Sequence, residues 1–173
     1  MRTLRLDLEP LCAAHADEAW PHVDDPSMWT FFPALRPESL DDLRATYGRR
    51  ERGYPKRDGA QIWGNWLVRE RSSALPVGDV QATIFPMEGT ALVAYAVYVA
   101  HQRRGFARES LVRLLEHLRD ARGTRRVFAE MDTRNMPSYR LAESLGFTRV
   151  ETRAEEDRGT GLISAEYVYE LRF

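Results

Sequence analysis

Between residues 62 and 121 the spacing of apolar side chains changes period, and that change restricts the fold more than any other feature of the chain. Residues 62–69, 77–85 and 91–99 read as strands, with turn signals at Ser72-Ser73 before Pro76 and at Glu88-Gly89. Ala107, Leu111, Leu114, Leu115, Leu118 and Ala121 then recur at helical spacing, and Gly123 stands where a helix-ending glycine belongs. An antiparallel meander therefore runs straight into an amphipathic helix. Residues 126–131 read as a buried strand, and residues 135–145 as a helix stopped by Gly146. A meander followed by a strand–helix–strand crossover implies an α/β fold of mixed (α+β) type, a twisted mixed sheet with helices on both faces.

The flanks extend this order. Residues 3–7 read as a short strand and residues 11–23 as a helix ending near Asp24-Asp25-Pro26. A stretch rich in proline and aromatics follows, with Trp29, Phe31, Phe32, Pro33 and Pro37. Ser39 with Asp42 marks a helix start running to about Tyr47, and residues 48–59 read as a loop. Residues 148–152 read as a strand, Glu155-Glu156-Asp157 and residues 159–161 as a loop, and Tyr167, Tyr169, Leu171 and Phe173 alternate as a final strand. The predicted order is β-α-α-β-β-β-α-β-α-β-β. At 173 residues, the chain is expected to form one domain spanning 1–173.

Composition narrows the partners. Lysine plus arginine (25) nearly balances aspartate plus glutamate (26), and Lys56 is the only lysine. An arginine-rich chain raises RNA as a partner, at the ribosome for example. With net charge −1 and no basic block, the charge pattern instead fits a solvated, salt-bridged surface, and no DNA partner is expected. Cys12 is the only cysteine, so no internal disulfide and no cysteine-based metal site are expected. No apolar run resembles a signal peptide or a membrane span, so a cytoplasmic location without a membrane partner is expected.

The segment 95–107, from Tyr95 to Ala107, carries the chemistry. A strand enters a polar loop that opens the amphipathic helix. The first backbone N–H groups of a helix lack internal partners, and the helix dipole adds positive potential there. Such an end binds phosphate. Gly105 removes a Cβ where phosphate and backbone would approach, and Ala107 keeps the first turn slim. Arg103, Arg104 and Arg108 add attraction for a polyanion. The same loop also reads as a plain strand–helix turn whose glycine serves only the bend.

A second segment, residues 130–138, leads from a strand into the helix that ends at Leu145-Gly146-Phe147. Gln102-x-x-Gly105-x-Ala107 resembles the coenzyme A pyrophosphate loop of GNAT acetyltransferases. Asn135-x-x-Ser138 with Leu145-Gly146-Phe147 resembles the following helix of that family. Tyr95, the opening Thr3-Leu4-Arg5-Leu6 and the surroundings of Val77-Gly78 resemble the RimJ/RimL branch. The resemblance is specific over residues 77–147.

That resemblance implies a GNAT fold whose central strand pair, 91–99 and 126–131, splays apart. It implies acetyl-CoA as cofactor and direct attack of a primary amine on the thioester, the acceptor being a small-molecule amine or a protein N-terminus. The cofactor-binding residues it implies are Val97, Tyr98 and Val99, then Gln102, Arg103, Arg104, Gly105, Phe106, Ala107 and Arg108, and finally Asn135 and Ser138. Backbone groups near Val97 and Val99 would pair with the pantetheine amides. The N–H at about Val99 would face the thioester carbonyl, where negative charge develops. Asn135 reads equally as a helix cap.

The chain departs from the family at the catalytic positions. Many members carry a tyrosine acid where this chain has Ala142. The RimL-like branch has a serine that assists the thiolate, and Ser138 matches it. That branch places a glutamate base where this chain has Val99. The base is therefore open, with Glu88, Asp79 and Asp132 as candidates by location and His101 reading as a loop side chain. Cys12 reads as a buried small residue. Trp29, Phe31, Phe32, Trp63 and Trp66 read either as walls of an acceptor pocket or as core. Glu155, Glu156 and Asp157 read either as attraction for a cationic acceptor or as solvated charge. A coenzyme A-binding module weak in catalysis is the alternative the departures raise, and self-association into a homodimer stays open.

Overall fold

In the computed structural model of the chain, residues 1–53, 60–156 and 163–173 are described. The elements are β1 (Leu6–Pro10), α1 (His15–Val23), α2 (Leu40–Glu51), β2 (Ile62–Glu70), β3 (Pro76–Phe85), β4 (Thr90–Val97), α3 (Phe106–Arg122), β5 (Arg126–Asp132), α4 (Met136–Ser144), β6 (Thr148–Glu156) and β7 (Ile163–Arg172). The seven strands form one sheet in the order β1-β2-β3-β4-β5-β7-β6. β4 and β5 are parallel, and every other neighbouring pair is antiparallel.

Both sheet faces are covered, because side chains alternate along each strand. Leu67 joins a buried cluster with Ala16, Ala19, Val23, Leu43, Tyr47 and Tyr98, under α1 and α2. The next residue, Val68, joins the other cluster, which takes in Leu111, Leu114 and Leu118 of α3 and Ala142 of α4. Trp66 belongs to this α3 side, edge-on to His117 at 5.9 Å, so it cannot wall a pocket on the α1/α2 face with Trp63.

Several boundaries differ from the sequence expectation for identifiable reasons. The first strand begins at Leu6 rather than at residue 3 and continues past Asp7 to Pro10. Thr3 turns the chain instead, its N–H donating to the Leu6 carbonyl at 2.8 Å and its hydroxyl to Glu109. Leu11 follows β1 rather than starting a helix, donating to the Asn65 carbonyl of β2 at 2.9 Å. Ser39 does cap α2, accepting the Asp42 N–H at 3.2 Å, but the helix continues beyond Tyr47 through Gly48 to Glu51. Glu155 and Glu156 close β6, paired with Ser164 and Ile163, rather than lying in a loop. Asp157 and residues 159–161 lie outside the described residues.

Two features position the site. β4 pairs with β5 only from Thr90↔Arg126 to Val93↔Ala129. Beyond that point β5 stays with β7 to Asp132↔Glu166, and β4 stays with β3 to Val97↔Gly78, so the sheet opens between β4 and β5. Gly78 permits the close approach at the open end, since a Cβ there would lie 2.1 Å from the Ala96 carbonyl oxygen. β4 ends at Val97, two residues before the expected end, and Val99–His101 form a 3-10 turn that carries the chain to α3.

Candidate active site

The loop from Gln102 to Gly105 is held in shape from within. The Gln102 side-chain amide donates to the Val97 carbonyl at 3.1 Å, bracing the loop against the strand end. Arg103 and Gly105 both take left-handed backbone angles, with φ of 61° and 81°. For arginine that conformation costs roughly 1–2 kcal/mol, a strain that persists only where surroundings impose it.

Two arginines have tasks the sequence did not indicate. Arg104 pairs with Glu70 at 2.6 Å and lies over the Phe106 ring at 4.6 Å, so it fastens the loop to β2 instead of standing free for a polyanion. Arg5 lies over the same ring at 5.0 Å, donates to the Arg104 carbonyl at 3.1 Å and pairs with Glu109 at 2.7 Å. Nothing local in the sequence links Arg5 to residues a hundred positions away. Arg103 and Arg108 remain exposed, with no ion pair among the described residues. A cavity of about 310 Å³ lined by Leu4, Arg5, Glu70, Arg71 and Ser72 adjoins the loop through Arg5.

The start of α3 has no side-chain cap, because its N-cap is Gly105. The first bond back into the loop is from the Glu109 N–H to the Gly105 carbonyl at 3.1 Å, which leaves the N–H groups of Phe106, Ala107 and Arg108 pointing outward. α2 and α4, by contrast, are capped by Ser39 and Asn135. A Cβ on Gly105 would come within 3.4 Å of the Arg5 guanidinium, so the glycine keeps this cradle open.

The open edge of β4 adds donors. The Tyr98 N–H bonds the Val77 carbonyl on β3 at 2.9 Å. Hydrogen-bonded and non-bonded pairs alternate in an antiparallel ladder, so Tyr95 and Val97 turn their backbone groups the other way, toward the opening. Both lie beyond the last pairing with β5. Val99 lies past the strand, 40% exposed in the 3-10 turn, and the backbone groups that β4 turns into the opening are those of Tyr95 and Val97. Tyr98, expected to touch cofactor, is fully buried and its ring stacks on His22 at 4.9 Å, so its side chain is core. Phe106 is 1% exposed and can offer only its backbone.

Across the opening, Asn135 caps α4 through its Oδ1, which accepts the Ser138 N–H at 3.3 Å. The Ser138 carbonyl accepts the Tyr95 hydroxyl at 2.9 Å, tying α4 to β4 over the gap. Burial pushes the Tyr95 hydroxyl up to about 12, so it stays protonated as that donor. The Ser138 hydroxyl has no partner among the described residues. Cys12 is partly buried, and no group of metal-binding side chains occurs among the described residues. No described helix is long and apolar enough to cross a membrane.

The family model for the acetyltransferase (GNAT) domain matches residues 5–148. The chain belongs to the GNAT acetyltransferase family and is an N-acetyltransferase with acetyl-CoA as cofactor. No curated protein matches it. The fold is similar to that of a GNAT-family acetyltransferase from Bacillus anthracis, at 17% identity and a TM-score of 0.82 over 99% of this chain and 97% of that one. It is similar to RimL, the ribosomal L7/L12 alpha-N-protein acetyltransferase in complex with coenzyme A, at 18% identity and 0.81 over 99% and 96%. It is also similar to spermidine N-acetyltransferase from Vibrio cholerae in complex with CoA and spermine, at 18% identity and 0.80 over 98% and 96%.

Proposed function

We propose that the chain transfers an acetyl group from acetyl-CoA to a primary amine, with the pantetheine arm in the β4/β5 opening and the pyrophosphate on the N-terminus of α3. The observation that carries this reading is the opening itself. It is edged by the N–H groups of Tyr95 and Val97 and ends at a helix start whose cap is a glycine. The residues fit the cofactor: a cradle a Cβ would narrow, outward N–H groups, and two arginines, Arg103 and Arg108, with no ion pair among the described residues.

When bound, the cofactor supplies an activated acetyl group on a thiol whose pKa lies near that of cysteine, roughly 8.5. The chain's own groups do the rest. Tyr95 N–H would face the acyl oxygen and stabilise negative charge there. Val97 N–H would hold a pantetheine carbonyl; its own carbonyl accepts from Gln102. The Ser138 hydroxyl, without a partner among the described residues, would hydrogen-bond to the cofactor's sulfur. Asn135 spends its oxygen on capping and has its amide N–H left for the arm.

The acceptor enters from the α1/α2 side, opposite the pantetheine arm. A protein α-amine, as for RimL, and a polyamine, as for the spermidine N-acetyltransferase, are the two acceptor classes this reading carries over from the similar folds, and the cytoplasm is the setting it takes. RNA as the main partner is not favoured, because Arg36, Arg44, Arg69, Arg126 and Arg153 are each paired with a carboxylate. The test is thiol release from acetyl-CoA with a panel of peptides and polyamines. At least one primary amine is expected to accelerate release above the water background. Tight cofactor binding without acceleration by any amine would contradict the reading and leave a binding module.

A further inference from the structure

The three carboxylates that location makes candidates for the base are placed very differently. Glu88 lies in the turn joining β3 to β4, beside Thr90 at the paired end of β4 and away from the opening. Asp132 is gripped by Arg134, with contacts of 2.6 Å and 2.9 Å from the guanidinium and 2.8 Å from the backbone N–H. Those bonds hold its carboxyl below the usual range, which makes it a poor proton acceptor.

Asp79 is the third. It lies in β3 opposite Ala96, beside the open end of β4. It is also opposite Leu67 of β2, whose side chain packs under α1 and α2, so Asp79 points to that same face. The neighbouring cross-strand row on this face is Asn65, Gln81 and Ala94. Ala94 and Ala96 are small, so the floor beside the open strand is low there. The row is also polar where a packed sheet face would be apolar. The Asn65 side-chain nitrogen is buried without a hydrogen bond, and Asp79 has neither hydrogen bond nor ion pair with a described residue.

Tyr47 and Arg50 of α2 and Tyr98 past the end of β4 face the carboxylate. Glu18 and His22 of α1 reach it only through Tyr98, whose hydroxyl lies by Tyr47 without a hydrogen bond of normal geometry. Burial raises the Asp79 pKa, and Arg50 opposes that in part.

We infer that Asp79 accepts the proton of the incoming amine, and that Asn65, Gln81, Ala94 and Ala96 floor the pocket in which that amine binds. The inference rests on the acetyl-transfer reading above. The step balances as follows. Asp79 takes one proton from the ammonium, directly or through one water. The freed nitrogen bonds to the acyl carbon, and the carbon–sulfur bond breaks with its electron pair going to sulfur. The second nitrogen proton ends on that sulfur. The products are an amide, a thiol and a protonated Asp79, which returns its proton to solvent. A carboxylate with a raised pKa is a stronger base than an exposed one, closer to the operating pH.

Asp79→Asn keeps the shape and removes the base. Wild type and variant are compared in kcat against pH with the best amine, in coenzyme A affinity by calorimetry, and in Tm of the ligand-free protein against pH. Expected is a loss in kcat of about 100-fold or more, with loss of the acid limb that ionisation of Asp79 sets. Coenzyme A affinity should stay within about twofold. The stability sign is fixed independently of turnover. A carboxyl with a raised folded-state pKa contributes stability that is full below the ordinary aspartate value, about 3.9, and lost as pH rises through the raised one. The variant should therefore match or exceed the wild-type Tm at neutral pH and lose that advantage in acid. Retained kcat, an unchanged acid limb, or a joint fall in Tm and cofactor affinity would overturn the inference and make Asp79 a structural residue. A wild type that binds coenzyme A but acetylates no amine would instead overturn the transfer reading, and this step with it.

Discussion

The three polar groups of Ser138 have three different fates. Its N–H is held by Asn135, its carbonyl is held by Tyr95 across the opening, and its hydroxyl is left over. Removing the hydroxyl alone leaves both backbone contacts in place. Ser138→Ala is therefore expected to lower kcat by about 10-fold, the worth of one hydrogen bond to a charged group, while acetyl-CoA binding barely changes. Steady-state kinetics beside calorimetry check this; weakened binding with kcat intact would make Ser138 a cofactor contact instead. At this scale the sequence was readable where a residue's role depends on its immediate neighbours. Gly105 belongs to that class, as does Asn135 as a cap. Gln102, Arg104 and Arg5 do not. Their partners are the Val97 carbonyl, Glu70 and Glu109, and those meet only once β4 has ended and β1, β2 and α3 have packed.

Helix α3 contrasts with α2 and α4 in having no side chain at its cap position. Gly105→Asp tests what that vacancy is for. An aspartate side chain can bond the first-turn N–H groups itself, and Asp tolerates positive φ better than most residues. Its Cβ would meet the end of the flexible Arg5 side chain, a cation that can shift. The side chain at positive φ should cost about 1–2 kcal/mol of stability and leave the fold in place, while negative charge occupies the phosphate position. Coenzyme A affinity should fall at least about 10-fold, and less for Gly105→Asn, which caps without charge. Unchanged affinity in calorimetry would remove this helix end from the site. The extents of the elements show what local pattern cannot convey. The alternation of residues 3–7 resembles a strand, yet Thr3 is used for a turn and a bond to Glu109. The meander was legible because turn residues punctuate it, and α3 because its apolar stripe is unbroken up to Gly123, which takes φ of 63° at the C-terminal cap.

For the whole molecule, the order of elements followed from the change in period, and the mixed sheet followed from that order. The opening between β4 and β5 does not. β4 is apolar from Ala91 to Val97, and nothing in Ala94–Val97 marks where pairing stops; the resemblance to a family, not periodicity, led to it. Gly78, packed against the Ala96 carbonyl, is the one local sign that β3 and β4 meet unusually closely there. The assembled arrangement puts the donors Tyr95, Val97 and the start of α3 on one continuous edge. The direct test is to add coenzyme A to the ¹⁵N-labelled protein and follow the backbone amides by NMR. The account predicts saturable shifts at Tyr95, Val97, Phe106, Ala107 and Arg108. Shifts confined to the cavity walls at Leu4, Glu70, Arg71 and Ser72, with the β4 edge and the helix start unmoved, would contradict it.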